Sequence, residues 1–150
     1  MADYVRFLTM IATSTVVMYG LMYLNTYALS HVYFSETRLY MAVVMGATMA
    51  IVMLLFMRGM YRNRAVNALL LGASALAIVV GLWLVRSQTT VDEASWMRAM
   101  IPHHSIAILT SERARITDPR VRTLADQIIE AQRREIDEMS RLLVELERHR

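Results

Sequence analysis

The sequence predicts an all-α protein: three transmembrane helices followed by a two-helix hairpin. Two observations carry that reading. Apolar residues bunch within the first 85 of the 150 positions, whereas charge lies mostly after them. Beyond Val85 the pattern becomes amphipathic, with two helix-start signatures, Thr90-Val91-Asp92-Glu93 and Asp118-Pro119. The chain therefore divides into a membrane domain, 1–86, and an outer helical domain, 87–150.

The spans are placed at Phe7–Leu29, Met41–Met57 and Ala65–Val85, each at or near the roughly 20 residues that cross a bilayer core. The first is read as a retained span, because its apolar run exceeds a signal peptide's h-region and Arg6 alone makes a poor basic n-region. Arg58, Arg62 and Arg64 crowd the second loop with no acid nearby, so that loop is cytoplasmic by the positive-inside rule. Span three then carries the outer domain to the opposite face; Arg86 at its end argues weakly the other way. Tyr27, Tyr33, Tyr40 and Trp83 are assigned to the outer aromatic belt, and Tyr4 and Tyr61 to the inner one. The small residues Ala42, Gly46 and Ala50, with Ala73, Ala77 and Gly81, predict packing of span two on span three. Met41, Met45, Met49, Met53 and Met57 recur at four-residue spacing, a row that drifts about 40° per step around a helix. They are read as adaptable apolar filler rather than as a metal ladder.

In the outer domain, Thr90 and Glu93 have the form of a capping box opening a helix from about Val91 to Arg115. Pro102 interrupts it and is expected to kink it near Arg98. Asp118-Pro119 opens a second helix to about Arg148. Its apolar stripe runs through Val121, Leu124, Ile128, Ile129, Ile136, Met139, Leu142, Leu143 and Leu146, interrupted by Gln132 and Glu135. A hairpin of about sixty residues seldom closes its own core. Pairing of two hairpins into a four-helix bundle, and hence a homodimer, is the expected solution.

The chemistry concentrates in Met97-Arg98-Ala99-Met100-Ile101-Pro102-His103-His104. There are no cysteines, so a soft metal has only thioether and imidazole ligands. Met97, Met100 and His104 share a helix face at i, i+3, i+7, and Met100 and His103 are i, i+3 neighbours. Such donors favour Cu(I) over hard cations. No Glu-x-x-His or His-Glu-x-x-His motif occurs, against di-iron and zinc-hydrolase sites. Nothing resembles a nucleophile elbow or phosphate loop, so no enzyme is expected. Net charge is +3 and all sixteen basic residues are Arg, with no aromatic-interleaved basic stripe of the kind that binds nucleic acid. His149 is read as a charge complement to the end of the second helix.

Trp96 through Ala107, with its core Met100-Ile101-Pro102-His103-His104, resembles the signature of domain-of-unknown-function family 305. Ala131-Gln132 and Glu135-Ile136-Asp137-Glu138-Met139 resemble that family's second-helix signature, and Phe34 through Met41 is similar to what precedes a span in some members. The resemblance implies a ferritin-like helical fold and, for some members, periplasmic copper binding by Met and His. Two departures stand out: Thr110 occupies the place where many members carry a further Met, and the hairpin appears once where longer members repeat it.

The expected function is binding of copper or a similar soft metal, for storage, delivery or tolerance, at the periplasmic face of a bacterial inner membrane. The expected metal ligands are Met97, Met100, His103, His104 and Met139, with Glu135 or Glu138 orienting an imidazole. The expected partners are the lipid bilayer, the metal ion and a second copy of the chain. The rival expectation is a metal-free assembly module in which Pro102-His103-His104 shapes a helix interface.

Overall fold

Residues 2–148 are described by a computed structural model, and every regular element among them is helical. His149 lies outside the described residues. The helices are α1 (Ala2–Leu21), α2 (Glu36–Phe56), α3 (Arg64–Ser87), α4 (Glu93–Arg113) and α5 (Pro119–Arg148), with a 3-10 turn at Leu29–His31. Three of them, α1, α2 and α3, are long and apolar enough to cross a membrane. The chain forms two units: 1–22 with 37–90, and 23–36 with 91–150.

In the first unit, α1 begins at Ala2 and ends at Leu21, short of the expected Leu29. Beyond it the Thr26 hydroxyl and amide both bond to the Tyr23 carbonyl, turning the chain before the apolar run ends. Asn63 caps α3 by accepting from the Ala65 and Val66 amides. At the other end Gln88 closes α3 in the left-handed region, φ 53°, and its side chain donates to the Val85 carbonyl.

Gly46, in the small row of α2, serves a different neighbour from the one expected. Ala42, Gly46 and Ala50 are all buried, but a methyl group at Gly46 would run into the Thr15 hydroxyl of α1. On α3 only Gly81 of the small row is buried; a Cβ there would meet the Val44 side chain at 2.6 Å, while Ala73 is exposed. So α2 meets α1 at Gly46, and the expected packing of α2 on α3 is found at Gly81, against Val44 and the Tyr40 carbonyl. Met49, Met53 and Met57 pack against Phe7, Ile11 and Leu54, consistent with thioethers as filler. Gly46→Leu should lower thermal stability in detergent by about 1–3 kcal/mol, as overpacking does. Adding Thr15→Ala should restore part of that loss.

In the second unit, α4 and α5 form the hairpin. Its core is Ala94, Met97, Ile101, Ile108, Ile136, Met139 and Leu143. Each fully buried Ile or Leu contributes about 1.5–3 kcal/mol by leaving water. The cap of α4 is Asp92, not Thr90: its carboxylate accepts from the Ser95 amide at 2.7 Å. Asp is at least as good an N-cap as Thr, and the Thr90 hydroxyl instead meets that of Tyr40. Helix α4 continues through Pro102 as one element, with the proline ring buried. Asp118 opens α5 as expected, accepting from the Arg120 amide. The Arg120 side chain beside it, then the backbone, holds its carboxyl below the usual 3.8.

The expected single stripe of α5 is two stripes. Ile136, Met139 and Leu143 are buried, with Ile129 packed beside them; Val121, Leu124, Ile128, Leu142 and Leu146 are exposed.

Segment 23–36 packs on α4 rather than standing with the apolar helices. The Ser105 side chain, fully buried, accepts from the Tyr27 amide at 2.7 Å and pairs with His31 Nδ1 at 2.9 Å. Tyr33 packs against the hairpin core. Tyr27, through its backbone amide, and Tyr33, through its side chain, are thus tied to this unit.

Candidate functional site

Successive residues on a helix are about 100° apart. Met97 and His104 therefore lie within about 20° of each other on α4, whereas His103 points about 120° from Met97. The structure follows that arithmetic. Met97 and His104 line one cleft of about 260 Å³, and α5 supplies Glu135, Glu138 and Met139 to the same cleft. Trp96 and Leu142, both half exposed, stand at its edge. Met100 packs against the hairpin core outside the cleft, and His103 is exposed. The two histidine rings stand 6.1 Å apart, centre to centre, at 65°.

Of the seven residues expected at the site, five thus meet: Met97, His104, Met139, Glu135 and Glu138. Met100 acts through its backbone instead. Its carbonyl lies 2.9 Å from His104 Nδ1, and a carbonyl can only accept, so Nδ1 carries hydrogen. That bond orients the ring, the role expected of a glutamate. Across the ring, Nε2 lies 2.7 Å from Glu135 Oε2. With Nδ1 protonated, Nε2 is the ring's lone-pair nitrogen in the neutral form, and an ionised carboxylate is an acceptor too. At 2.7 Å the contact between them is a hydrogen bond, and its proton is carried by the ring or by the carboxyl group.

The imidazole is nearly buried, its side chain 11% exposed, while that of Glu135 is 52% exposed. Water reaches the Glu135 end of this pair and screens its attraction to the ring. Among the described residues no three His, Cys, Asp or Glu side chains group closely enough to hold a metal ion. Any ion in this cleft would depend on thioether sulfur. Thr110, at the missing-Met position, is exposed and returns its hydroxyl to the Ile106 and Ala107 carbonyls.

Ser105, His31 and Glu36 carry polar chemistry that sequence reasoning passed over. Glu36 Oε1 accepts weakly from the Ser95 hydroxyl at 3.5 Å, and its Oε2 is buried without a hydrogen bond. Nothing in the local sequence marks these groups, since their partners lie 59 to 78 positions away.

A helical hairpin with an imidazole and two thioethers in one cleft is what the carboxy-terminal part presents as a class. The family model described as Domain of unknown function (DUF305) matches residues 88–150, which supports placing this segment in that domain family. Among curated proteins, Uncharacterized protein L153 of Acanthamoeba polyphaga mimivirus is 40% identical over 70 residues, covering 45% of this chain. The match spans 46%, about half, of that protein's length. No solved structure matches the chain.

Proposed function

We propose that the 88–150 segment binds a soft metal ion, Cu(I) above others, in the cleft between α4 and α5, for storage, delivery or tolerance. The observation that carries this reading is one cleft holding Met97, Met139 and His104 Nε2 together. Thioethers and imidazole suit Cu(I) and are poor ligands for Mg(II) or Ca(II). The residues fit such an ion: Met97 and Met139 would supply sulfur, His104 would supply Nε2, and Glu135 would balance charge. When bound, Cu(I) would sit against the hairpin core through its two thioethers, and no substrate-transforming step is assigned.

The cellular setting belongs to the same proposal. α1, α2 and α3 anchor the chain in a bacterial inner membrane, and the hairpin faces the periplasm. Support comes from the uncompensated Arg58, Arg62 and Arg64 between α2 and α3. A reporter fused after the last residue should be active only when exported; activity in the cytoplasm would overturn the orientation. The exposed α5 stripe of Val121, Leu124, Ile128 and Leu142 supports pairing with a second copy into a ferritin-like four-helix arrangement.

The metal-free assembly reading draws on a specific observation as well. Met97 and Met139 belong to the hairpin core and need no metal to account for their burial. Titrating the purified full chain with Cu(I) against a competing chelator separates the two. Met97→Leu with Met139→Leu conserves volume, so the fold should survive with less than about 1.5 kcal/mol lost per site. Cu(I) affinity should fall by at least tenfold. Unchanged affinity would favour the assembly reading.

A further inference from the structure

We propose that the loop joining α2 to α3 forms a binding site for an anionic phospholipid, with the headgroup phosphate held by Arg58, Arg62 and Arg64. These three side chains line one open cleft of about 540 Å³, within the roughly 300–1,000 Å³ usual for ligand sites. All three residues are exposed, and among the described residues none of the three guanidinium groups has an ion-pair or hydrogen-bond partner. No carboxylate lines the cleft. Asp3, in the first turn of α1, is not among its walls.

The cleft is built on a rigid floor. Tyr61 is buried, its ring 5.2 Å from those of Tyr4 and Phe7. Asn67 donates to the Tyr61 carbonyl at 2.7 Å and accepts from the Tyr4 hydroxyl at 2.8 Å. The Asn63 amide donates to that same hydroxyl at 3.1 Å. The first amides of α3 are already satisfied by the Asn63 side chain, so guanidinium groups rather than the helix end supply the anion recognition. Arg is suited to that task, since its planar fork matches phosphate oxygens two at a time.

A free phosphate would use only the basic part of this cleft. Its remaining wall is Ala68 and Leu71, about 6 and 10 Å along α3 from Arg64 at 1.5 Å per residue. Charge at the end of an apolar helix with an apolar wall running inward matches a phosphodiester headgroup and its acyl chain. Basic clefts between membrane helices on the cytoplasmic side recognise anionic headgroups in this manner.

The full chain in detergent, mixed with phosphatidylglycerol or phosphatidylcholine, tests this by native mass spectrometry. Detergent removes the topological role of the same arginines from the readout. Phosphatidylglycerol should be retained in preference to phosphatidylcholine. Each Arg→Gln change should weaken retention roughly fivefold, and R58Q/R62Q/R64Q roughly a hundredfold. R86Q, at the other end of α3, should bind as the unaltered chain does. If the triple variant loses helical content, R62Q alone gives the readout. Undiminished retention by the arginine variants, equal loss in R86Q, or equal retention of phosphatidylcholine would each overturn the proposal.

Discussion

His104→Ala is expected to abolish Cu(I) binding by the full chain, whereas His103→Ala should leave it close to unchanged. The sequence places the two rings side by side and invites treating them as one ligand pair. The structure separates them: His104 faces the α5 carboxylates and Met139, and His103 faces solvent. Losing a group that merely orients a ligand typically costs 10- to 100-fold in affinity. Loss of the imidazole itself should therefore exceed about a hundredfold. Chelator competition gives the affinity, and circular dichroism checks that helix is retained, with His104→Gln as the second variant should His104→Ala lose it. Equal losses in both variants would mean that the ion sits outside the cleft.

Ile136→Asp is expected to unfold the α4–α5 hairpin, and Ile128→Asp is expected to leave it folded but weaken self-association. Ile136 is 4% exposed inside the hairpin core, so aspartate there would be buried without a partner. That change should destabilise by more than about 4 kcal/mol. Ile128 is 37% exposed on the other stripe of the same helix. Equilibrium sedimentation and thermal melts of the two full-length variants distinguish the stripes. A folded Ile136→Asp protein would contradict the core described here; an Ile128→Asp variant associating as strongly as the unaltered chain would remove the second stripe from any dimer.

Local signals were legible wherever the deciding contact lies within a few residues. Asp118-Pro119 opens α5 where expected, and three apolar helices are found where three apolar runs occur. Competition between nearby signals misled: Thr90 and Asp92 both qualify as caps, and Asp92 takes the Ser95 amide. Helical spacing alone gathered Met97, Met100, His103 and His104 onto one broad face, but a cleft admits a narrow arc. Met97 and His104 fall inside that arc; Met100 is used for its carbonyl and His103 is left outside. The division of the α5 stripe was likewise invisible, since an apolar residue reads alike whether its neighbour is α4 or solvent. Hardest to see was segment 23–36, which joins the hairpin through groups 74 and 78 positions away.

That last arrangement has a consequence for the order in which the protein can be completed. Tyr27 and His31 are synthesised long before Ser105, which receives the Tyr27 amide across 78 positions. At about 5–20 residues per second, the ribosome takes roughly 4–16 seconds to supply it. Throughout that interval the early segment has its polar groups ready and no helix to engage. Its contacts with the hairpin can therefore form only after α4 has been made, however early the segment itself emerges.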